Sequence, residues 1–360
     1  MPRWLVHRLL PTAVVVSILA LSACTSSSSS SDAASGGAAC TPPATPTIIF
    51  AAYSTPREVY DAKIIPAFKA MWKEQTGVEP QFFESYTGST TQAQNVVNGS
   101  GADVVALSLA PDVDTIADAG LITHDWTSAP DKGMVSSSVV VFDVRPGNPK
   151  GIADWNDVAT PGTGVLTPDP DQSGGARWNL VSLWGAATRG DVPGISKGDD
   201  AAATTLMNDF AANVIAWDSS ARGSIQNFEG GNGDVAITYE NEVKTAQASG
   251  LEDEAVYPAG SILIENPVAV VDKNAEEHCV SDVANAFVDF LHSKDAKEYY
   301  TTTGYLRSTD PTEAAAGDPA NGFPAIKDLF TVEDLGGWDQ LDTTLFGTDG
   351  IATQAKANAG

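Results

Sequence analysis

The sequence predicts an α/β fold of two lobes, each a mostly parallel sheet flanked by helices. From Pro46 onward, short β-branched apolar runs alternate with helical segments, the pattern left by parallel strands joined through crossover helices. The chain has 360 residues, 42% of them hydrophobic and 18% charged, enough to bury two cores of ordinary domain size. Two stretches suit strands that pass from one sheet to the other. Val135–Arg145 is rich in β-branched residues and ends in Pro-Gly-Asn-Pro, and the chain returns through Val256–Ile264 to a strand at Pro267–Val271. There is no repeat with a period of about 20–50 residues.

Taken in order, residues 1–23 read as a signal peptide. Arg3 and Arg8 make a basic start, Leu9 to Leu21 is an apolar run too short to span a bilayer, and Leu21-Ser22-Ala23-Cys24 closes it. That ending resembles a bacterial lipobox, in which the cysteine becomes the first mature residue and carries the lipid. Lipidated Cys24 would hold an exported chain on the outer face of the cell membrane. Residues 24–46, with six consecutive serines from Ser26 to Ser31 and then Gly36-Gly37, read as a flexible tether.

The first lobe opens with a strand at Thr47–Tyr53, a helix at Pro56–Gln75 and a strand at Glu79–Ser85. A helix from Ser89 to about Asn98, a strand at Ala102–Ser108 and a short helix near Val113–Ala119 follow. Past the first crossover come a strand at Gly164–Thr167 and helices at Gly174–Thr188 and Asp200–Ala212. The second lobe continues with a strand at Val214–Asp218, a helix at Arg222–Glu229, a strand at Val235–Glu240 and a helix at Asn241–Ala248. A helix at Val280–His292 and the C-terminal region complete the first lobe. The expected division is 47–137 with 260–360 as one lobe and 138–259 as the other.

Charge excludes some partners. With 46 acidic against 20 basic residues the formal charge is −26, which argues against nucleic acid and anionic lipid surfaces. Removing residues 1–23 takes away Arg3 and Arg8 and no acid, so the mature chain is more negative still. Any anion must be held by focused local dipoles against that field. Besides Cys24 the chain has Cys40 and Cys279. An exported location permits a disulfide between them, clipping the start of the fold to a late helix; two buried free thiols are the alternative. His278-Cys279 lacks the further ligands of a metal site, and no metal or cofactor is expected.

Two lobes imply a cleft, and such folds bind at loops leaving the C-terminal ends of strands, beside helix N-termini. The loops in question are Tyr53–Pro56, Tyr86–Ser89, Gln172–Gly175 and Ser219–Arg222. Each places small or hydroxylated residues just before a helix. In Ser173-Gly174-Gly175-Ala176 the serine is a plausible N-cap, while the glycines let an anion approach the backbone N–H groups. An unoccupied Ser N-cap explains any one such loop; four at corresponding places point to an anion.

Several of these runs resemble one family. Tyr86-Thr-Gly-Ser-Thr-Thr-Gln and Val96-Val-Asn-Gly-Ser-Gly-Ala-Asp-Val-Val-Ala-Leu-Ser-Leu-Ala-Pro-Asp-Val-Asp are similar to the first lobe of periplasmic sulfate-binding proteins. Val144-Arg-Pro-Gly-Asn-Pro-Lys, Asp154-Trp-Asn-Asp, Thr167-Pro-Asp-Pro, Ser173-Gly-Gly-Ala-Arg-Trp-Asn, Asp218-Ser-Ser-Ala-Arg-Gly-Ser and Tyr239-Glu-Asn-Glu continue the likeness, which covers roughly 47–350. The resemblance implies a two-lobed clamshell of the type II periplasmic-binding-protein class with two crossover hinge strands. It also implies a monomer that delivers sulfate to the membrane permease subunits of an ABC importer. Carried over by position, it implicates Ser54 and Ser89, the Ser173 hydroxyl, and the N–H groups of Gly174, Gly175 and Ala221. Arg177 and Arg222 match arginines that support the binding peptides. Ser54 stands where better-known members carry Asp. Tyr239 stands where they carry a Trp; its O–H is expected to donate to the anion, directly or through water.

A lining of donors alone favours unprotonated sulfate over phosphate, whose proton needs an acceptor. Asp218, the nearest acceptor, is assigned a structural role. Thiosulfate, molybdate and tungstate are the alternatives within the binding class. An exported hydrolase is the rival from another class. Four histidines, His7, His124, His278 and His292, and the absence of His-Glu-x-x-His and Gly-x-x-x-x-Gly-Lys-Ser/Thr argue against it.

Overall fold

The structure, a computed structural model, describes residues 40–359. The expected signal peptide, Cys24 and the tether as far as residue 39 lie outside them. β1 (Thr47–Tyr53) opens the fold, and α1 (Arg57–Val59) runs through a π turn at Tyr60–Ile64 into α2 (Ile65–Thr76). β2 (Gln81–Thr87), α3 (Ser89–Val97), β3 (Val104–Ala106) and α4 (Ala110–Asp118) follow. β4 (Met134–Val144) then crosses to the second half.

There, α5 (Trp155–Val158) starts on a reciprocal cap. The Asp154 side chain accepts from Trp155 N, and Asp157 accepts from Asp154 N at 3.0 Å. β5 (Val165–Pro168) leads into α6 (Gly174–Arg189), which stops at Gly190, a left-handed residue with φ 85°. α7 (Asp200–Ala212) is capped by Asp199 and leads to β6 (Val214–Asp218). α8 (Ala221–Glu229) is capped by Ser220, whose Oγ accepts from Gly223 N at 3.1 Å. β7 (Val235–Tyr239), α9 (Glu240–Ala248) and β8 (Glu254–Val256) precede the return strand β9 (Gly260–Val270).

α10 (Asp272–Glu277), α11 (Ser281–Leu291), α12 (Lys294–Thr302) and α13 (Pro311–Ala316) follow. β10 (Asp328–Phe330), α14 (Trp338–Leu341) with a π turn at Asp342–Phe346, and α15 (Ile351–Ala359) end the described chain. None of the described helices is long and apolar enough to cross a membrane.

The strand order is β2-β1-β3-β9-β4-β7-β5-β6. β1 is parallel to β2 and β3, and β5 is parallel to β6 and β7, so each half-sheet is built from crossover units. β4 and β9 join the halves. They lie antiparallel from Met134–Val139 to Leu263–Pro267, after which β4 pairs with β7 and β9 with β3. The expected break before Pro267 does not occur: β9 runs unbroken through it. Pro267 has no N–H to offer, but its carbonyl accepts from Leu107 N at 2.9 Å, and it sits where the β4 register shifts.

The first half-sheet is covered on one face by α2 and α11, where the Phe68 and Phe287 rings lie 4.9 Å apart. The second buries Phe142, Trp155 and Phe210 with α6 and α7. The C-terminal region departs from its expected grouping with the first lobe. Leu341, Leu345, Ala352 and Ala355 are buried in the cluster that contains α6 and α7. Their apolar positions are few and small, so the sequence pattern did not reveal which face they cover.

Cys40 and Cys279 form a disulfide, with Cα atoms 5.4 Å apart, closing a span of 239 residues. Labelling of the unreduced mature chain is expected to find no reactive thiol at either position, and two labelled thiols would overturn the pairing.

Candidate functional site

The loops after β2, β3, β5 and β6, together with the end of β7, converge where the two halves meet. The backbone of α3 begins at Ser89 after Gly88, whose φ of −62° and ψ of 141° are extended. A Cβ on Gly88 would lie 2.3 Å from Gln172 O and 2.7 Å from Ser219 O, both on the opposite half. Thr91 crosses the same gap, donating from N to Gln172 O at 3.1 Å. The halves therefore touch through backbone, with no room for a side chain.

Ser108, which the sequence did not single out, is the centre of the cluster. Its N–H donates to Ser89 Oγ at 2.9 Å, and its Oγ lies 2.6 Å from the Tyr239 hydroxyl. Its carbonyl accepts from Trp178 Nε1 at 2.7 Å and from Asn266 Nδ2 at 3.2 Å. A Cβ on Gly174 would meet Ser108 Oγ at 2.8 Å and Leu109 Cδ2 at 2.5 Å. A Cβ on Gly175 would meet the Ala221 Cβ at 3.3 Å, Ser173 Oγ at 3.4 Å and Tyr239 Cε1 at 3.5 Å. Ser89, Ser173, Gly174, Gly175, Ala221 and Tyr239 are thus brought together, all buried. Ser54 stands at the end of β1, beside Thr55, and the Tyr53 ring lies 6.3 Å from that of Tyr239.

The donors are free to act. Among the described residues, the N–H groups of Ser89, Gly174, Gly175 and Ala221 have no acceptor, and the hydroxyls of Ser54 and Ser173 have no partner. Three helix N-termini, those of α3, α6 and α8, supply these N–H groups, each with its positive dipole end toward the cluster. The Ser89 hydroxyl is committed elsewhere: it donates to Asp112 Oδ2 at 2.5 Å, so Ser89 has its N–H left to offer. Burial pushes the Asp112 carboxyl up to about 6, against the Ser89 hydroxyl and the charge of Arg177, which favour the ionised form. Burial also raises the Tyr239 phenol above its ordinary value, so it stays a protonated donor, and in this structure its partner is Ser108.

The two arginines hold loop carbonyls. Arg177 Nε donates to Pro170 O at 3.3 Å and its Nη1 to Asp342 at 3.1 Å. Arg222 bridges the halves, reaching Glu242 on its own side at 2.8 Å and Thr55 O at 3.3 Å and Glu58 at 3.0 Å on the other. Asp218 accepts from Ser224 Oγ at 2.9 Å and Asn227 Nδ2 at 3.2 Å, which engages its carboxylate in bracing α8.

The arrangement offers hydrogen-bond donors, and among the described residues it holds no nucleophile–base pair. Ser173 Oγ has no base within hydrogen-bond reach among the described residues. Elsewhere in the fold, His124 pairs with Asp272 at 2.8 Å and His278 with Asp103 at 2.7 Å, at the two ends of α10. Gly194-Ile-Ser-Lys-Gly198 has the Gly-x-Ser-x-Gly spacing, but it lies in the exposed loop between α6 and α7 rather than at a strand-to-helix turn.

The model of the bacterial extracellular solute-binding protein family matches residues 48–306. A sulfate-binding protein of Escherichia coli K12 is 41% identical over 85% of this chain and 92% of its own. A thiosulfate-binding protein of the same strain is 35% identical over 84% and 89%. Among solved structures, the sulfate-binding protein SubI from Mycobacterium tuberculosis H37Rv is similar, with 36% identity and a TM-score of 0.74 over 84% of this chain and 99% of that one.

Proposed function

Because the chain belongs to the bacterial extracellular solute-binding proteins, whose role is capture and not turnover, we propose that its cluster of free donors encloses a sulfate ion for delivery to an ABC importer. The observation that supports this is the convergence of three helix N-termini on one buried spot, with free N–H groups at Ser89, Gly174, Gly175 and Ala221. The Ser173 and Ser54 hydroxyls complete the ring. Hydrogen bonds to a charged partner contribute about 1.5–3 kcal/mol each, so these donors are enough to offset desolvation of a dianion and still reach micromolar affinity. With Tyr239 as the donor of its bond to Ser108 Oγ, the Ser108 proton is left for the anion, in place of the family's indole donor.

In this reading 47–137 and the first part of 260–360 form one lobe, and 138–259 with the last helices forms the other. The protein acts as a monomer, exported and held at the membrane by lipid on Cys24, and docks on permease subunits. It changes nothing in its ligand.

Ser173→Ala tests the central donor. Loss of one hydroxyl bond to an anion is expected to weaken sulfate binding roughly 10- to 100-fold by calorimetry; unchanged affinity would remove Ser173 from the site. The likeness to a thiosulfate-binding protein favours one second reading, thiosulfate in the same site. Competition among sulfate, thiosulfate, molybdate and phosphate separates the two, and phosphate binding within about tenfold of sulfate would defeat the donor-only account.

A further inference from the structure

The C-terminal helix reaches the loop that precedes α6. We propose that Lys356 on α15 is a positioning residue for the anion site, holding the Ser173–Gly175 turn in shape through Asp169; this rests on the reading of that turn as an anion cradle. Asp169 organises the turn. Its carbonyl accepts from Gln172 N at 3.0 Å and Ser173 N at 2.8 Å, and its own N–H donates to Asp218 O at 2.7 Å, tying the turn to the strand before α8. Its carboxylate accepts from Asp171 N and from Gln172 Nε2, each at 3.0 Å.

Lys356 fastens this carboxylate from outside the turn, donating to Asp169 Oδ1 and, at 2.8 Å, to Asp171 Oδ2. The pair is well shielded, with side-chain exposures of 23% and 14%, and Lys356 lies 5.8 Å from the Trp217 ring centroid. α15 is itself fixed, since Ala352 and Ala355 are buried in the same apolar cluster as α7. The C-terminal segment holds the loop a second time through Asp342, which pairs with Arg177, whose Nε holds Pro170 O. Burial alone would raise the Asp169 carboxyl, but Lys356 and the two loop donors hold it below the ordinary range. Lys356 is raised in turn by the two carboxylates, so the clamp is closed throughout the neutral range.

A stabilising ion pair and a positioning one differ in where their loss is felt. The test compares the purified protein with Lys356→Met and Lys356→Arg, reading sulfate affinity and, without anion, backbone amide exchange. Lys356→Met is expected to weaken sulfate about tenfold, equivalent to about 1.4 kcal/mol, because the donors lose their preset geometry. Exchange at Gln172 and Ser173, whose N–H groups are bonded to the Asp169 carbonyl, is expected to speed up while that of α7 stays as it was. Lys356→Arg is expected to keep affinity within about threefold, since it restores a cation of similar reach. Unchanged exchange at the turn in Lys356→Met, or loss of protection shared equally by α7, would overturn the proposal. If the unaltered protein binds no sulfate, the anion reading falls, and exchange at the turn alone decides whether Lys356 positions it.

Discussion

Gly88→Ala is expected to lower sulfate affinity by 100-fold or more, on the order of 3 kcal/mol, while leaving the anion-free protein as stable as before. The residue's φ of −62° and ψ of 141° suit alanine, so the fold of the first half has no objection to the substitution. The obstruction arises only across the gap, where the new methyl would sit 2.3 Å from Gln172 O and 2.7 Å from Ser219 O. Both are backbone atoms of the loops that carry the second half's donors, so no rotamer change relieves the contact. The halves must part by about an ångström, and hydrogen bonds to an enclosed anion weaken steeply over that distance. Calorimetry with sulfate and thermal unfolding without it provide the check. Affinity within threefold of the unaltered protein would show that the halves need not approach this closely.

The second large effect is on stability and concerns a residue outside the site. Asp143 lies on β4, fully buried, with both carboxyl oxygens lacking a partner. Burial pushes its carboxyl up to about 8, and repulsion from Asp253, Glu229 and Glu242 adds to this. Arg145 pulls the other way, though its own N–H groups are turned to the carbonyls of Phe228, Asn232 and Gly233. Since the folded protein holds this proton more tightly than the unfolded chain, stability falls as pH rises between the unfolded value near 4 and the folded value about 8. The slope is about 1.4 kcal/mol per unit at most, and the cost is fully present above that window. Asp143→Asn removes the titration. Relative to the unaltered protein its unfolding midpoint is expected to climb by roughly 10 °C between pH 5 and pH 9, on the order of several kcal/mol. A difference that stays constant with pH would mean that Asp143 is paired and ionised throughout.

Much of the proposed site was legible because its donors lie at helix starts, where sequence leaves a local mark. α6 opens at Gly174 directly after Ser173, and α8 at Ala221 directly after Ser220, as the sequence suggests. What sequence could not reveal is the partner that arrives from far along the chain. Ser108 meets Tyr239 across 131 positions and Ser89 donates to Asp112, so the hydroxyl assignments needed the structure. Gly88 carried no signal of its own, because its torsions do not require glycine and only the facing loops do. For the fold, strand and helix periodicity located most elements within a few residues. The strand expected to start at Pro267 instead begins at Gly260, because the missing donor of Pro267 is harmless at that register, which no local pattern reveals. The docking of α15 rests on two alanines, too weak a stripe to name its neighbour.

The side-by-side run of β4 and β9 has a mechanical consequence. A slip of one strand along the other by a single residue would turn every side chain to the wrong face and break the ladder, so sliding is stiff. Bending and twisting of the paired ribbon leave its hydrogen bonds intact. If the halves move as the proposed capture role requires, rotation about the ribbon is the motion that this pairing resists least. On the proposed capture role, release of the ion is expected to require separating Thr91 from Gln172 and Arg222 from Glu58, the contacts that cross between the halves.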